Sequence, residues 1–357
     1  MPKIPMPPPA ARQLSPDDGA WQHACRVALG LVVPGLVLVA VGRPDLIIYA
    51  VFGSFTGMYG RGESRRTRFR HQTQAGAVLL AGATVGILIA AAHAAPWVLV
   101  ACAVPFTYAA AVAADSLGLN PQGPFFGTLA LGALATVPPD RVAPSTAVLI
   151  CVTTALFSLA LGLLGGRSAR APVRHDTEPG RTRLALATAH AGRYALATAA
   201  AGSAGVLLGV DHANWAIASA IVPLAAADPG RHLRPGLASV AGRSAHRVLG
   251  TFAGLGGTAG LFAVGLDGAA AALVVMALLF PTELFMARHY GLALGFFTPL
   301  ILMMTQLAAR SEPLPLVTFR AVDTLMGVAA GILVAALATT AARRTTAPRT
   351  SRPRVTS

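Results

Sequence analysis

Residues 26–42 read RVALGLVVPGLVLVAVG, an uncharged apolar run behind a single leading arginine. The run is too long for a barrel strand of about 9–11 residues and shows no strict alternation, so it is read as a membrane-crossing helix, which needs about 20 mostly apolar residues. Working outward, blocks of the same kind recur at 24–42, 45–60, 75–94, 96–114, 123–138 and 144–164. After a break they continue at 190–209, 213–228, 248–266, 269–287, 291–308 and 320–341. Composition agrees. Over 357 residues, 54% are hydrophobic and only 12% charged, with a mean hydropathy of +0.62. A water-soluble chain could not clothe its surface with so few charges. The expected fold class is all-α, a polytopic membrane protein of about twelve transmembrane helices.

Charge gives the expected orientation. The net charge is +14, from 28 basic and 14 acidic residues. With the N-terminus inside, only Arg43, Arg141, Arg310 and Arg320 fall outside, and every other basic residue lies in an inner segment. That is the bias of a multi-pass membrane protein with cytoplasmic termini. It accounts for the basic excess without nucleic acid. Cys25, Cys102 and Cys151 are scattered, so neither a zinc site nor a disulfide framework is expected.

The opening run has a partner at 193–209, RYALATAAAGSAGVLLG, which also starts at an arginine and ends in a glycine sixteen residues later. Gly76, Gly82 and Gly86 have the same spacing as Gly250, Gly256 and Gly260, and Pro105 pairs with Pro281. Six crossings per half is an even number, which predicts two parallel six-helix repeats with a substrate path between them. The expected segments are a disordered tail (1–22), a first membrane half (23–164), a basic cytoplasmic linker (165–184), a second half (185–342) and a basic tail (343–357). The pairs Gly82/Gly86, Gly250/Gly254, Gly256/Gly260 and Gly327/Gly331 are read as close helix-packing positions.

No enzyme motif stands in a usable context. Gly254-Leu-Gly256-Gly-Thr-Ala259 fits a dinucleotide pattern but sits inside an apolar helix with no strand before it. Ionisable residues inside spans are the better guide, because each is costly there. Glu283 and Asp323 are the candidates for proton coupling. Arg320 and Asp323, three apart, are expected as a helix-end ion pair at the outer interface. His212 and Trp215 are read as markers of that same interface. Arg26, Arg193 and Arg288 are the substrate-path candidates at the inner mouth. No cofactor or metal is expected.

The segments HRVLGT at 246–251, YGLA from Tyr290, and Arg320-x-x-Asp323-Thr324 resemble the fusaric acid resistance protein-like family, which is related to aromatic acid exporters. The resemblance covers roughly 24–341 and is weaker in the first half. It implies a bacterial inner-membrane transporter, not an enzyme, that exports small organic, often aromatic, carboxylate anions. Expected partners are such an anion and anionic lipid headgroups beside the basic loops, with a homo-oligomer left open. The alternative is a non-transporting membrane scaffold for cell-envelope factors.

Overall fold

The computed structural model describes residues 18–164, 180–209, 213–225, 237–309 and 312–346. The tail expected over 1–22 and the linker over 165–184 lie mostly outside these, as does His212. Among the described residues the chain forms helices and no strand. In order they are α1 (Asp18–Ala40), α2 (Ile47–Ser54), α3 (Arg65–Ala91), α4 (Pro96–Leu117), α5 (Phe125–Ala135) and α6 (Pro144–Leu164). The second set is α7 (Gly180–Leu207), α8 (Ala213–Leu224), α9 (Leu237–Val264), α10 (Gly268–Met286), α11 (Tyr290–Ala309) and α12 (Pro313–Thr346). Short 3-10 turns, Pro44–Leu46 and Phe55–Met58, flank α2.

Eight of these helices are long and apolar enough to cross a membrane: α1, α3, α4, α6, α9, α10, α11 and α12. The chain is a multi-pass membrane protein. Of the twelve expected spans, the second and eighth already read as short and bounded by Gly or Pro; α2, α5 and α8 have only 8, 11 and 12 residues, which corrects the fifth as well. At 1.5 Å per residue they cover about 12–18 Å, against about 30 Å of hydrocarbon. Prolines and glycines account for the shortfall. Pro44 and Gly57 bracket α2, Pro124 and Pro138 bracket α5, and Pro223 lies in the last turn of α8. Every residue of α2 and α8 is buried. A helix too short for lipid is tolerable when its ends meet protein instead.

The long helices wrap these short ones. In the first half α2 packs on α6, α3 on α5 and α6, and α1 on α6; in the second, α8 packs on α12, α9 on α11 and α12, and α7 on α12. Across the halves α4 packs on α7 and α10 on α1, while α5 meets α8 and α11 meets α2. An aromatic cluster ties the centre together: Phe55 stands 5.4 Å from Phe126 and 6.1 Å from Phe297, centroid to centroid. Glycines set the closest approaches. A Cβ on Gly82 or Gly86 would strike the Gly127 or Leu131 carbonyl of α5, and one on Gly327 or Gly331 the Ala216 or Ala220 carbonyl of α8. Gly250 and Gly254 lie as tightly on α11. Gly256 and Gly260 do not follow: nothing lies within 4 Å of either, because that face of α9 points outward.

The connections gather at two ends. At one, Arg43 Nη2 donates to the Arg141 carbonyl at 2.8 Å and Pro44 lies against Gly268. At the other, Arg61 Nη2 donates to the Glu283 carbonyl at 2.9 Å, and Gly123 lies against Tyr194.

Candidate functional site

Besides Arg68 of α3, which is 3% exposed, two groups of buried ionisable side chains interrupt the apolar interior among the described residues. The first sits where α1 begins and α10 ends. His23 Nε2 lies 3.1 Å from Glu283 Oε2, and Arg26 Nη2 lies 3.0 Å from His23 Nδ1. A guanidinium can only donate, so Nδ1 accepts and the imidazole proton sits on Nε2, from which it is donated to the carboxylate. The line therefore runs from cation through neutral imidazole to anion. His23 and Glu283 are each 3% exposed. Two of the residues singled out in the sequence, Arg26 and Glu283, are thus joined through a third. His23 was missed because it falls where the tail meets the first span, 260 positions from its partner.

The other inner-mouth candidates are not brought to this line. Arg288 follows α10 and is exposed, and Arg193 is half-buried on α7. One turn earlier on α7, His190 Nδ1 lies 3.1 Å from Asp115 Oδ2 of α4.

The second group lies deeper, on α8, α9 and α12. Arg247 is 0% exposed and Arg320 1%. Arg247 Nη2 donates to Ser219 Oγ at 3.3 Å, and its guanidinium lies 5.5 Å from the centre of the Phe125 ring. The Arg320 guanidinium lies 5.2 Å from the centre of the Trp215 ring. Trp215 and Ser219 are four apart on α8, so the two guanidiniums contact successive turns of that helix. Each keeps Nε and Nη1 without a hydrogen-bond partner among the described residues. The same is true of both Asp323 carboxylate oxygens, both side-chain atoms of Asn214, and the hydroxyls of Ser244, Thr251 and Thr298. Ser244, Arg247 and Thr251 recur at helical spacing on one face of α9.

The expected helix-end ion pair of Arg320 and Asp323 is therefore corrected. Helix α12 starts at Pro313, not at 320, so both residues lie two to three turns inside it. Asp323 is 0% exposed, and Arg320 turns to Trp215 instead of bonding it. Trp215, read as an interface marker, is likewise buried, at 1% exposed. Arg247 was counted with the inner loop because its span was expected to begin at 248. Helix α9 begins at Leu237, which carries Arg247 about 15 Å along the axis. A signal was present: Arg247 and Arg320 sit in two of the three segments that carry the family resemblance.

The first half has a quieter version. Gln72 of α3 donates from Nε2 to the carbonyls of Gly57 at 3.3 Å and Tyr59 at 3.2 Å. Thr56 lies against Gly76, one turn along α3, and Ser158 of α6 against Gly30 and Gly57, both with hydroxyls lacking a partner among the described residues. This trio carries no charge. Among the described residues no cluster of three or more metal-ligating side chains occurs.

Residues 196–334 match the family model described as fusaric acid resistance protein-like. The matched stretch holds every member of the deep cluster except Phe125. No curated protein and no solved structure matches the chain. The family match and the apolar helices together mark a membrane-transporter-like protein.

Proposed function

We propose, taking a fusaric acid resistance protein-like transporter as the premise, that this protein exports small organic carboxylate anions across a bacterial inner membrane. Arg247 and Arg320 hold the anion midway. The observation that carries the reading is the pair of buried guanidiniums, each with Nε and Nη1 lacking a hydrogen-bond partner among the described residues. A buried ion costs several kcal/mol even after relaxation unless an opposite charge repays it. A carboxylate with two oxygens can accept from both groups, and charge-assisted bonds of that kind are the strong ones. Phe125 and Trp215 beside the guanidiniums favour an aromatic cargo, since a ring can take the place of ring-on-cation contacts already present.

The matching packing of α1–α6 and α7–α12 supports two parallel six-helix repeats, and the arginine bias favours both termini being cytoplasmic. The cluster then belongs to the second repeat, with Phe125 contributed across the boundary by α5 of the first. Arg26 and Arg193 draw the anion to the inner mouth. Export needs no further drive, because moving one negative charge out of a negative interior releases about 2.3 kcal/mol per 100 mV. If protons are coupled to export, Glu283 carries them, held ready by His23.

The test is efflux of benzoate from proteoliposomes under an imposed voltage. Arg247→Gln and Arg320→Gln should each cut flux at least about tenfold, an effect of the size expected when one charge-assisted bond is lost. Undiminished flux in both folded variants would overturn the assignment.

A further inference from the structure

We infer that His23–Glu283 and His190–Asp115 are the two latches of one gate, which closes the halves together at the end proposed to face the cytoplasm. This rests on reading the protein as a transporter whose path runs between its halves. Two seams of long helices join those halves, α1 against α10 and α4 against α7. Each seam pairs the first helix of one half with the fourth of the other. His23 stands three residues before Arg26, and His190 three before Arg193. Their partners also hold matching places, Glu283 three residues before the end of α10 and Asp115 two before the end of α4. Both contacts measure 3.1 Å. A contact serving stability alone has no reason to recur at equivalent places on both seams.

Polar pairs make reversible closures. When a seam parts toward water, solvent takes up the imidazole and the carboxylate, so the bond opens and recloses at little net cost. Apolar contacts receive no such compensation. Farther along the α1–α10 seam the contacts are apolar, Met276 against Gly35 and Gly268 against Pro44. The latched end is therefore the one able to part, and the apolar end the one about which the halves turn as rigid bodies. Arg61 adds a bond across the first seam, to the Glu283 carbonyl. The second seam reaches the anion site: His190 Nε2 lies 3.3 Å from the carbonyl of Leu224, the last residue of α8. That helix presents Ser219 to Arg247 and Trp215 to Arg320. Parting α4 from α7 thus loosens the end of the helix on which both guanidiniums rest.

The experiment locks each seam of the full chain, in a background with Cys25, Cys102 and Cys151 replaced. The paired variants are His23→Cys with Glu283→Cys and His190→Cys with Asp115→Cys. The control is Glu63→Cys with His71→Cys, a 2.8 Å contact within the first half. Benzoate flux in proteoliposomes is read on the same protein before and after a short bis-methanethiosulfonate linker. Locking either seam should abolish flux and a reductant should restore it, while linking the control pair leaves flux unchanged. Flux that persists through a locked seam, or an equal loss from the control linkage, overturns the inference. A second measurement needs neither paired variant. Ala111 and Ala191 are buried together between α4 and α7, so Asp115→Asn should speed labelling of Ala111→Cys by a hydrophilic maleimide in detergent by about tenfold or more. An unchanged rate counts equally against the gate. Failure of the transport reading looks different: the wild-type protein would then carry no benzoate at all.

Discussion

Removing the imidazole of His23 strands the Glu283 carboxylate in a site that is 3% exposed. Breaking one side of a buried pair of this kind costs about 3–5 kcal/mol. Glu283→Gln is milder, about 1 kcal/mol, because an amide oxygen still accepts from His23 Nε2. Thermal unfolding in detergent should therefore show His23→Ala well below Glu283→Gln, and the reverse order would contradict the bonded line through Arg26. At this scale Glu283 and Asp323 were legible in the sequence, since an acid inside an apolar run announces itself. Their surroundings were not. His23 is remote in sequence, and Arg247 was hidden because arginines beside a span read as topology signals until the helix start is known.

At the scale of elements, glycine separates contacts that matter from those that do not. Gly327 sits on the Ala216 carbonyl, with Ser219 Cβ 2.7 Å from where its own Cβ would be. Gly327→Val must push α12 off α8 and carry Arg320 away from Trp215. Gly256 faces open space, so Gly256→Ala should be neutral or stabilise by up to about 1 kcal/mol through helix propensity. Unfolding midpoints of the two variants check this, and equal losses would count against the packing described. Long apolar runs located the long helices well. The short ones were overread, because apolar residues continue past Ser54, Ala135 and Leu224 while the backbone turns there.

At the scale of the molecule, the proposed orientation puts the Arg43–Arg141 end outside and the Arg61–Glu283 end inside. Ser64 and Asp140 are both exposed, one near each end. In a background with Cys25, Cys102 and Cys151 replaced, an impermeant maleimide added to intact cells should label Asp140→Cys and spare Ser64→Cys. Labelling of both from outside would refute the orientation. The arginine bias is what this orientation rests on. The inequality of the halves was not readable, since Gln72 and Arg247 both look like ordinary polar residues at the mouth of a span.

The uncharged trio of Thr56, Gln72 and Ser158 has a consequence for robustness. A carrier with an equivalent ligand-holding wall in each half could lose one and limp along on the other. Here a single wall holds Arg247 and Arg320, so the anion has no second pair of that kind to fall back on. Changes that abolish transport while sparing the fold should crowd around Arg247 and Arg320, while Thr56, Gln72 and Ser158 tolerate polar replacements that keep their shape.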